Sequence, residues 1–353
     1  MNRILAYSAP KGEEWANNIG DYIQGLAANQ FMRTPEWIDR EQLHVYNGEL
    51  SKVIMNGWFM AEPLHFPPSE KIVPLFVSFH INPMIAKKML SPASISYLRN
   101  HAPIGCRDKE TVKILRQYDI PAYFSACLTL TLGQSYHRPN REEDRKGVCF
   151  VDPFIAFKGK DIWRGWHWFL LHPIMCVAVY LNMRKQMLRE QPFMFRMRMV
   201  LRIGIFLRSF SRLFEKKVLM RSQYLSQLVN AHLFESHKDA ADYADRLLRH
   251  YASCKLCVTS RIHCALPCIG MGVPVVFVNA ENNAISDGRF DGLLQFFNVA
   301  IAHPCGLEPK FSFENDDGSS LIGERTRMPI CKRHEEYALR LIMKCREFAN
   351  SRL

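Results

Sequence analysis

Short apolar runs alternate with stretches of helical periodicity along this chain, and that alternation limits its fold more than any other feature. Residues 3–7 form one such run, followed by a Gly-containing loop and a helical pattern over about 19–30. Further runs at 53–55, 72–79, 102–104 and 120–124 are set apart by turn residues that include Pro67, Pro68, Asn82 and Pro83, and a helical stretch covers 109–118. Runs this brief suit strands buried on both faces, and their alternation with helices predicts a mainly parallel sheet covered on both sides. The polar segment RPNREEDRK at 138–146 reads as a linker, after which the pattern restarts. It shows a strand at 147–151, a helix at about 237–251, a strand at 256–259, a short helix to Met271 and a strand at 275–278.

An α/β protein of two units is therefore expected, and 353 residues accommodate two domains with a cleft between them. The boundaries fall at 1–145 and 146–330. A helical insertion occupies about 160–225, and a C-terminal helix within 331–353 could pack back on the first unit. No apolar run of secretory length opens the chain, so the eleven cysteines are expected to be reduced thiols of a cytoplasmic protein.

The net charge of +12 points to an anionic partner: nucleic acid, lipid or a phosphorylated substrate. Most of it sits in one place, because residues 151–221 hold 14 Lys or Arg against 4 acids, a net of +10. In the same segment, 165–183 lacks Asp, Glu, Lys and Arg for 19 residues, but two His, Asn182 and Pro173 argue against a membrane span. Beyond Pro192, Met199, Val200, Ile203, Phe206, Leu207, Phe210 and Phe214 share one helical face, with Arg198, Arg202, Arg208 and Arg212 on the other. Beside Trp163, Trp166 and Trp168, this pattern fits an interfacial anchor on an anionic membrane surface through 160–221. A helix packed on the core with solvated arginines is the commoner alternative.

Three places carry candidate chemistry. Thr259-Ser260-Arg261-Ile262-His263 ends a strand and opens a helix, so Ser260 as a cap, free helix amides, Arg261 and His263 could hold a small polyanion at the crevice of an α/β fold. Pro267 implies a bend or a later helix start. An arginine in a surface ion pair and a histidine satisfied in the core account for the triplet equally well. Gly105-Cys106-Arg107-Asp108 also precedes a helix; Asp108 suits a cap, whereas Arg107 has no local explanation. Ser125, Thr129 and Thr131 place hydroxyls after the next strand, and Asn17, Asn18, Gly20 and Asp21 lie in the first βα turn. Cys254 and Cys257, with Cys264 and Cys268, suggest a metal knuckle, but the first pair enters a strand and the second lies on a different element, so no metal is assigned.

WANNIGDYIQGLAANQF (15–31), GCRDKETVKILRQYDIPAYFSACLTLTL (105–132) and TSRIHCALPCIGMGVPVVFV (259–278), in this order, resemble the polysaccharide pyruvyl transferase family. The resemblance spans the first 132 residues and about 230–300, leaving the basic insertion uncovered. It implies two Rossmann-like domains in a GT-B-like arrangement, phosphoenolpyruvate as co-substrate with no further cofactor, and a pair of sugar hydroxyls as acceptor. The carboxyethylidene group would pass to a precursor of a bacterial surface polysaccharide as a pyruvate ketal. The family's Arg-x-His motif falls on Arg261 and His263, and its Gly-x-Arg-Asp motif on Gly105, Arg107 and Asp108. Arg261 and Arg107, with Ser260, Ser125 and Asn18, are the expected substrate-binding residues. His263 binds the phosphate or protonates it, with binding preferred, and Asp21 or Asp108 accepts a hydroxyl proton. The partners implied are phosphoenolpyruvate, a glycan or lipid-linked sugar and a membrane surface at the cytoplasmic face, without nucleic acid. A GT-B-type glycosyltransferase using a nucleotide sugar, and a non-catalytic module resting on the basic segment, are the alternatives.

Overall fold

A computed structural model describes residues 1–7, 16–188, 190–191, 193–280, 288–316 and 318–352. The Gly-containing loop after Tyr7, Trp15 of the first motif and Arg189 of the basic segment lie outside them. The first half runs β1 (Asn2–Ala6), β2 (Ala16–Asn18), α1 (Ile19–Asn29), β3 (Glu36–Asp39), β4 (Ser51–Phe59), β5 (Ile72–Ile81), α2 (Pro83–Met89), α3 (Pro92–Asn100), β6 (Ile104–Cys106), α4 (Lys109–Arg116) and β7 (Ala122–Phe124). Six of its strands form a parallel sheet in the order β3-β1-β4-β5-β6-β7. Burial on both faces explains why β4 and the end of β5 read as continuous apolar runs rather than alternating ones.

The second half continues with β8 (Lys146–Val151), α5 (Asp161–Leu171), α6 (Pro173–Met183), α7 (Phe193–Phe210), α8 (Lys216–Arg221), β9 (Gln223–Leu225), β10 (Leu228–Asn230), α9 (His237–Ala252), β11 (Cys254–Thr259), α10 (Ile262–Gly270), β12 (Val275–Ala280), β13 (Asn298–His303), β14 (Gly306–Pro309) and α11 (His334–Asn350). Its sheet has the order β14-β13-β12-β11-β8-β9, parallel except for β14, while β10 pairs antiparallel with β2 of the first half. Both halves are thus mixed α/β with parallel sheets, as the alternation of runs predicts.

One core joins the two. Ile19 and Ile23 of α1, Leu128 and Leu130 of a 3₁₀ turn, Leu248 of α9, Leu266 of α10 and Leu341 of α11 belong to a single buried cluster. At its centre the backbones touch: a Cβ on Gly133 would lie 2.1 Å from the Gly270 carbonyl oxygen, and one on Gly270 would lie 2.3 Å from that of Leu130. The last helix does return to the first sheet, where Lys52, buried in β4, donates to the carbonyls of Phe348 (2.8 Å) and Ala349 (3.3 Å) at its end.

The insertion departs from expectation. The stretch 165–183 is broken at His172–Pro173 into α5 and α6, and no helix among the described residues is long and apolar enough to cross a membrane. The apolar face expected on a membrane splits in two. Ile203, Phe206, Leu207 and Phe210 of α7, with Phe214 beyond it, pack under the second sheet against Phe150 and Tyr224, so the commoner alternative holds for the inner half of this face. The reason is supply: strands buried on both faces need a second layer, and this helix provides it. The exposed apolar side chains lie instead on α5, α6 and the first turns of α7, among them Trp163, Leu170, Leu171, Ile174, Leu181, Phe193, Met194 and Met197.

Candidate functional site

The carboxyl ends of β5, β6, β8 and β11 and the amino ends of α1, α4 and α10 bring charged side chains together. Arg261, rather than Ser260, occupies the N-cap position of α10, and no side chain caps that helix. Its backbone N–H donates to Thr259 Oγ1 (2.9 Å), which itself donates to the Val151 carbonyl (2.7 Å). The Arg261 Nε donates to Asp152 Oδ2 (3.1 Å) at the end of β8. The helix starts at Ile262 despite Pro267, which sits inside it. A proline at this position supplies no N–H to the carbonyl four residues back, that of His263. The side chain of Gln227 fills the vacancy, donating to the His263 carbonyl at 3.1 Å.

From the other half, Arg107 follows β6 and meets His263 across 156 residues of sequence, Nη1 to Nε2 at 3.4 Å. Both are buried, at 4% and 7% exposure. The buried Arg107 Nε has no hydrogen-bond acceptor among the described residues, and Asp108 Oδ2 lies 3.8 Å from it. Burial, then the positive charge of Arg107, with His80, Arg289 and Arg261 beyond it, hold the His263 pKa well below the ordinary histidine value. The imidazole is therefore neutral, and its Nε2 accepts from Arg107.

Asp108 is a cap and more. Its Oδ1 accepts from the Thr111 N–H (2.8 Å) and Thr111 Oγ1 (2.9 Å), and its Oδ2 lies 2.6 Å from His80 Nδ1. Burial alone would raise its pKa, but the His80 hydrogen bond and the charge of Arg107 hold it below the usual carboxylate range. Burial and Arg107 together push His80 down to about 4. The pair is thus carboxylate and neutral imidazole, with the proton on Nδ1, and no described group hydrogen-bonds to Nε2. With both oxygens engaged, Asp108 orients His80 and is not free to collect a proton from a substrate.

Asp21, in the first turn of α1, is half-buried and accepts from Asn18 Nδ2 (3.3 Å) and Gln24 Nε2 (3.0 Å). Burial raises its pKa against the opposing pull of Arg40, Arg107, Asn18 and Arg261. This turn abuts α10: a Cβ on Gly20 would fall 3.2 Å from His263 Cβ and 3.1 Å from Gln227 Oε1. Gln227 binds the parts together. Its carbonyl accepts from the Ile19 N–H (2.8 Å) and its own N–H donates to Asp152 Oδ2 (2.9 Å).

Arg107, Asp108, His263, Arg261, Asp21 and Asn18 therefore converge, whereas the two serines serve the backbone. Ser260 Oγ donates to the Val278 carbonyl (2.5 Å) and accepts from the Phe154 N–H (2.7 Å). Ser125 Oγ donates to the Cys106 carbonyl (3.0 Å) and accepts from the Ser78 N–H (2.9 Å), tying β6 to β5. The cysteines on different elements converge after all: Cys257 of β11 and Cys264 and Cys268 of α10 place their sulfurs within 4.8 Å of one another, as do the ligand atoms of Cys149, His250 and Cys254. All five of these cysteines belong to the joint core.

Three contributors escape the sequence reading. His80 and Asp152 stand at the ends of apolar runs, the position that singled out Arg107 and Arg261, and that rule applied to every run would have named them. Gln227 lies in a β9–β10 turn that carries no recognisable pattern.

The family model described as polysaccharide pyruvyl transferase matches residues 18–282, a span that includes the first turn of α1, both arginine motifs and the insertion between them. Neither a curated protein nor a solved structure matches the chain.

Proposed function

Since the chain belongs to the polysaccharide pyruvyl transferase family, we propose that it transfers the carboxyethylidene group of phosphoenolpyruvate to two hydroxyls of a sugar in a surface-polysaccharide precursor, forming a ketal. The observation that carries this reading is the meeting of Arg107 and His263 from opposite halves, with the buried Nε of the same guanidinium lacking a hydrogen-bond partner among the described residues. A buried cation lacking a hydrogen-bonded acid is stabilised by an anionic ligand, and phosphoenolpyruvate offers a carboxylate and a phosphate. Arg107 and Arg261 clamp these groups, with Arg289 adding positive potential at both imidazoles. We read the two parallel sheets, about 1–145 and 146–330, as a GT-B-like pair closing on this donor.

Bound anion reverses the electrostatics of the site. The charges that keep His80 and His263 neutral are then matched, so their pKa values rise and either imidazole can carry a proton. Protonation of the donor methylene makes C2 cationic; the first hydroxyl adds there, and the second displaces phosphate. The two hydroxyl protons balance the reaction, one ending in the new methyl group and one on phosphate. Asp21, with its pKa raised by burial, is the base for the attacking hydroxyl, and Asp108 holds His80 in the tautomer that presents Nε2. His263 binds the phosphate. The exposed apolar side chains of the basic insertion support a reading in which the enzyme works at the cytoplasmic membrane face.

The test is phosphate release from phosphoenolpyruvate by the full chain, dependent on a glycan acceptor and lost in His263→Ala. Folded protein that consumes no phosphoenolpyruvate with any sugar acceptor, or that binds UDP-sugars in its place, overturns the proposal.

A further inference from the structure

A cavity opens beside Arg261 and Asp152 of the candidate site. It encloses about 410 Å³ between the segment after β8 and helices α6 and α7, a volume in the range of small-ligand pockets. Met183, Met187 and Met199 with Ile155, Phe157 and Phe206 wall it, and thioether side chains adapt readily to a flexible aliphatic guest. Its polar lining is unbalanced. Arg198, Arg202 and Arg261 face it against the single carboxylate of Asp152, and that carboxylate is engaged by Arg261 and the Gln227 N–H. Arg198 and Arg202, one helical turn apart, have no ion pair among the described residues; Arg202 lies 4.6 Å over the Phe157 ring, and burial and Arg198 both depress its pKa. At one end stand Arg261 and Asp152 of the candidate site, and the helix that lines the cavity carries the exposed Phe193, Met194 and Met197 in its first turns.

We infer that this cavity is the subsite for the lipid carrier of the acceptor: an aliphatic chain held along the methionine wall, its phosphate met by Arg198 and Arg202, and its sugar presented to Arg261 and His263. Charge complementarity and continuity with the site select this occupant. A purely apolar guest leaves two guanidiniums unmatched, and a free phosphate leaves the wall empty. The inference rests on the pyruvyl transfer reading for the identity of the sugar acceptor, but the subsite itself can be tested without turnover.

The probe is farnesyl phosphate, titrated calorimetrically below its micelle concentration into the full chain without phosphoenolpyruvate. Farnesol and inorganic phosphate serve as the two half-ligands. Farnesyl phosphate should bind at least about tenfold more tightly than either, and should lose at least about tenfold in affinity in the double variant Arg198→Gln/Arg202→Gln. Met199→Trp, which fills the cavity, should weaken it similarly, and Met187→Trp fills it from another lining position should the first variant melt early. Equal binding by all variants, farnesol binding as tightly as its phosphate, or no binding to the wild type overturns the subsite. Displacement by phosphatidylglycerol vesicles at equal lipid concentration assigns the cavity to bilayer lipid and also overturns it. A protein that binds the probe but consumes no phosphoenolpyruvate defeats the enzymatic reading alone, and one that turns over without binding the probe defeats the subsite alone.

Discussion

The candidate site and the helical insertion invert the ordinary arrangement of a protein surface in opposite ways. At the site, Arg107, Asp108, His80 and His263 are buried and only partly bonded to one another, with the Arg107 Nε left without an acceptor among the described residues. In the insertion, Trp163 and Ile174 are 79% and 81% exposed, while Arg196 and Arg198 of α7 have no acid partner among the described residues. Each inversion costs free energy in isolation, and each is relieved by a different companion: a small anion for buried cations, and an apolar anionic surface for exposed apolar cations. The contrast predicts that changes at the site act on chemistry and stability together, whereas changes on the outer insertion spare both.

The largest effect is expected at the meeting of the halves. His263→Ala or Arg107→Ala should lower kcat/KM for phosphoenolpyruvate by about 100-fold to 1,000-fold, the scale seen when one preorganised group at a developing charge is removed. A loss under tenfold, measured as acceptor-dependent phosphate release, would show that the pair is structural. Asp108→Asn comes next. A carboxamide has one acceptor oxygen where the carboxylate has two, so it can keep the Thr111 cap or the His80 bond but not both. About 2 kcal/mol of stability should be lost on denaturant unfolding, and the pH profile of turnover should shift with it.

Protonation separates the regions further. The His80 pKa of about 4 lies below the unfolded value of 6.5, so between these values the unfolded chain binds more protons than the native one. Its neutral form is fully compatible with the fold above pH 6.5, and stability is lost as the pH falls toward 4, by up to on the order of 3 kcal/mol. His263 acts in the same direction. The melting temperature should therefore fall between pH 7.5 and 5, and less so in the presence of phosphoenolpyruvate, which favours the charged imidazoles. A midpoint that rises on acidification contradicts this. Guanidiniums do not titrate there, so adhesion of a His167→Gln/His172→Gln variant, whose insertion keeps only its Lys and Arg charges, to phosphatidylglycerol vesicles should be unchanged over the same interval.

Much of this frame is legible in the residues alone, for identifiable reasons. Strands buried on both faces leave continuous apolar runs, and those at 72–79 and 256–259 became β5 and β11, whereas β13, as long as β11 but only partly buried, is not among the runs expected. The strands β2, β9 and β10, three residues each, leave too little pattern, yet they carry the Gln227 turn that links the halves. Arg107 stands out because arginine at that strand end has no local explanation, whereas Arg261 suits a surface ion pair equally well and does pair with Asp152. Ser260 and Ser125 bond to backbone groups, since a hydroxyl beside free backbone groups serves the fold as readily as a ligand. The fate of α7 was ambiguous for a deeper reason: an apolar helical face is the same pattern whether a sheet or a membrane covers it.

That ambiguity makes the two ends of α7 the sharpest place to test the contrast. Phe210→Ala, in the buried half, removes a side chain packed on Phe150 and should cost about 3 kcal/mol or more on denaturant unfolding. Leu170→Gln with Ile174→Gln, on the exposed helices before it, should change stability by less than about 0.5 kcal/mol, because side chains already in water lose no packing when they become polar. The same pair should reduce flotation with anionic vesicles while leaving phosphate release with a water-soluble acceptor unchanged. If the exposed pair instead destabilises the chain as strongly as Phe210→Ala, those leucine and isoleucine side chains are covered by protein in solution. The insertion would then be an extension of the core, and its unpaired arginines the solvated face that basic helices usually present.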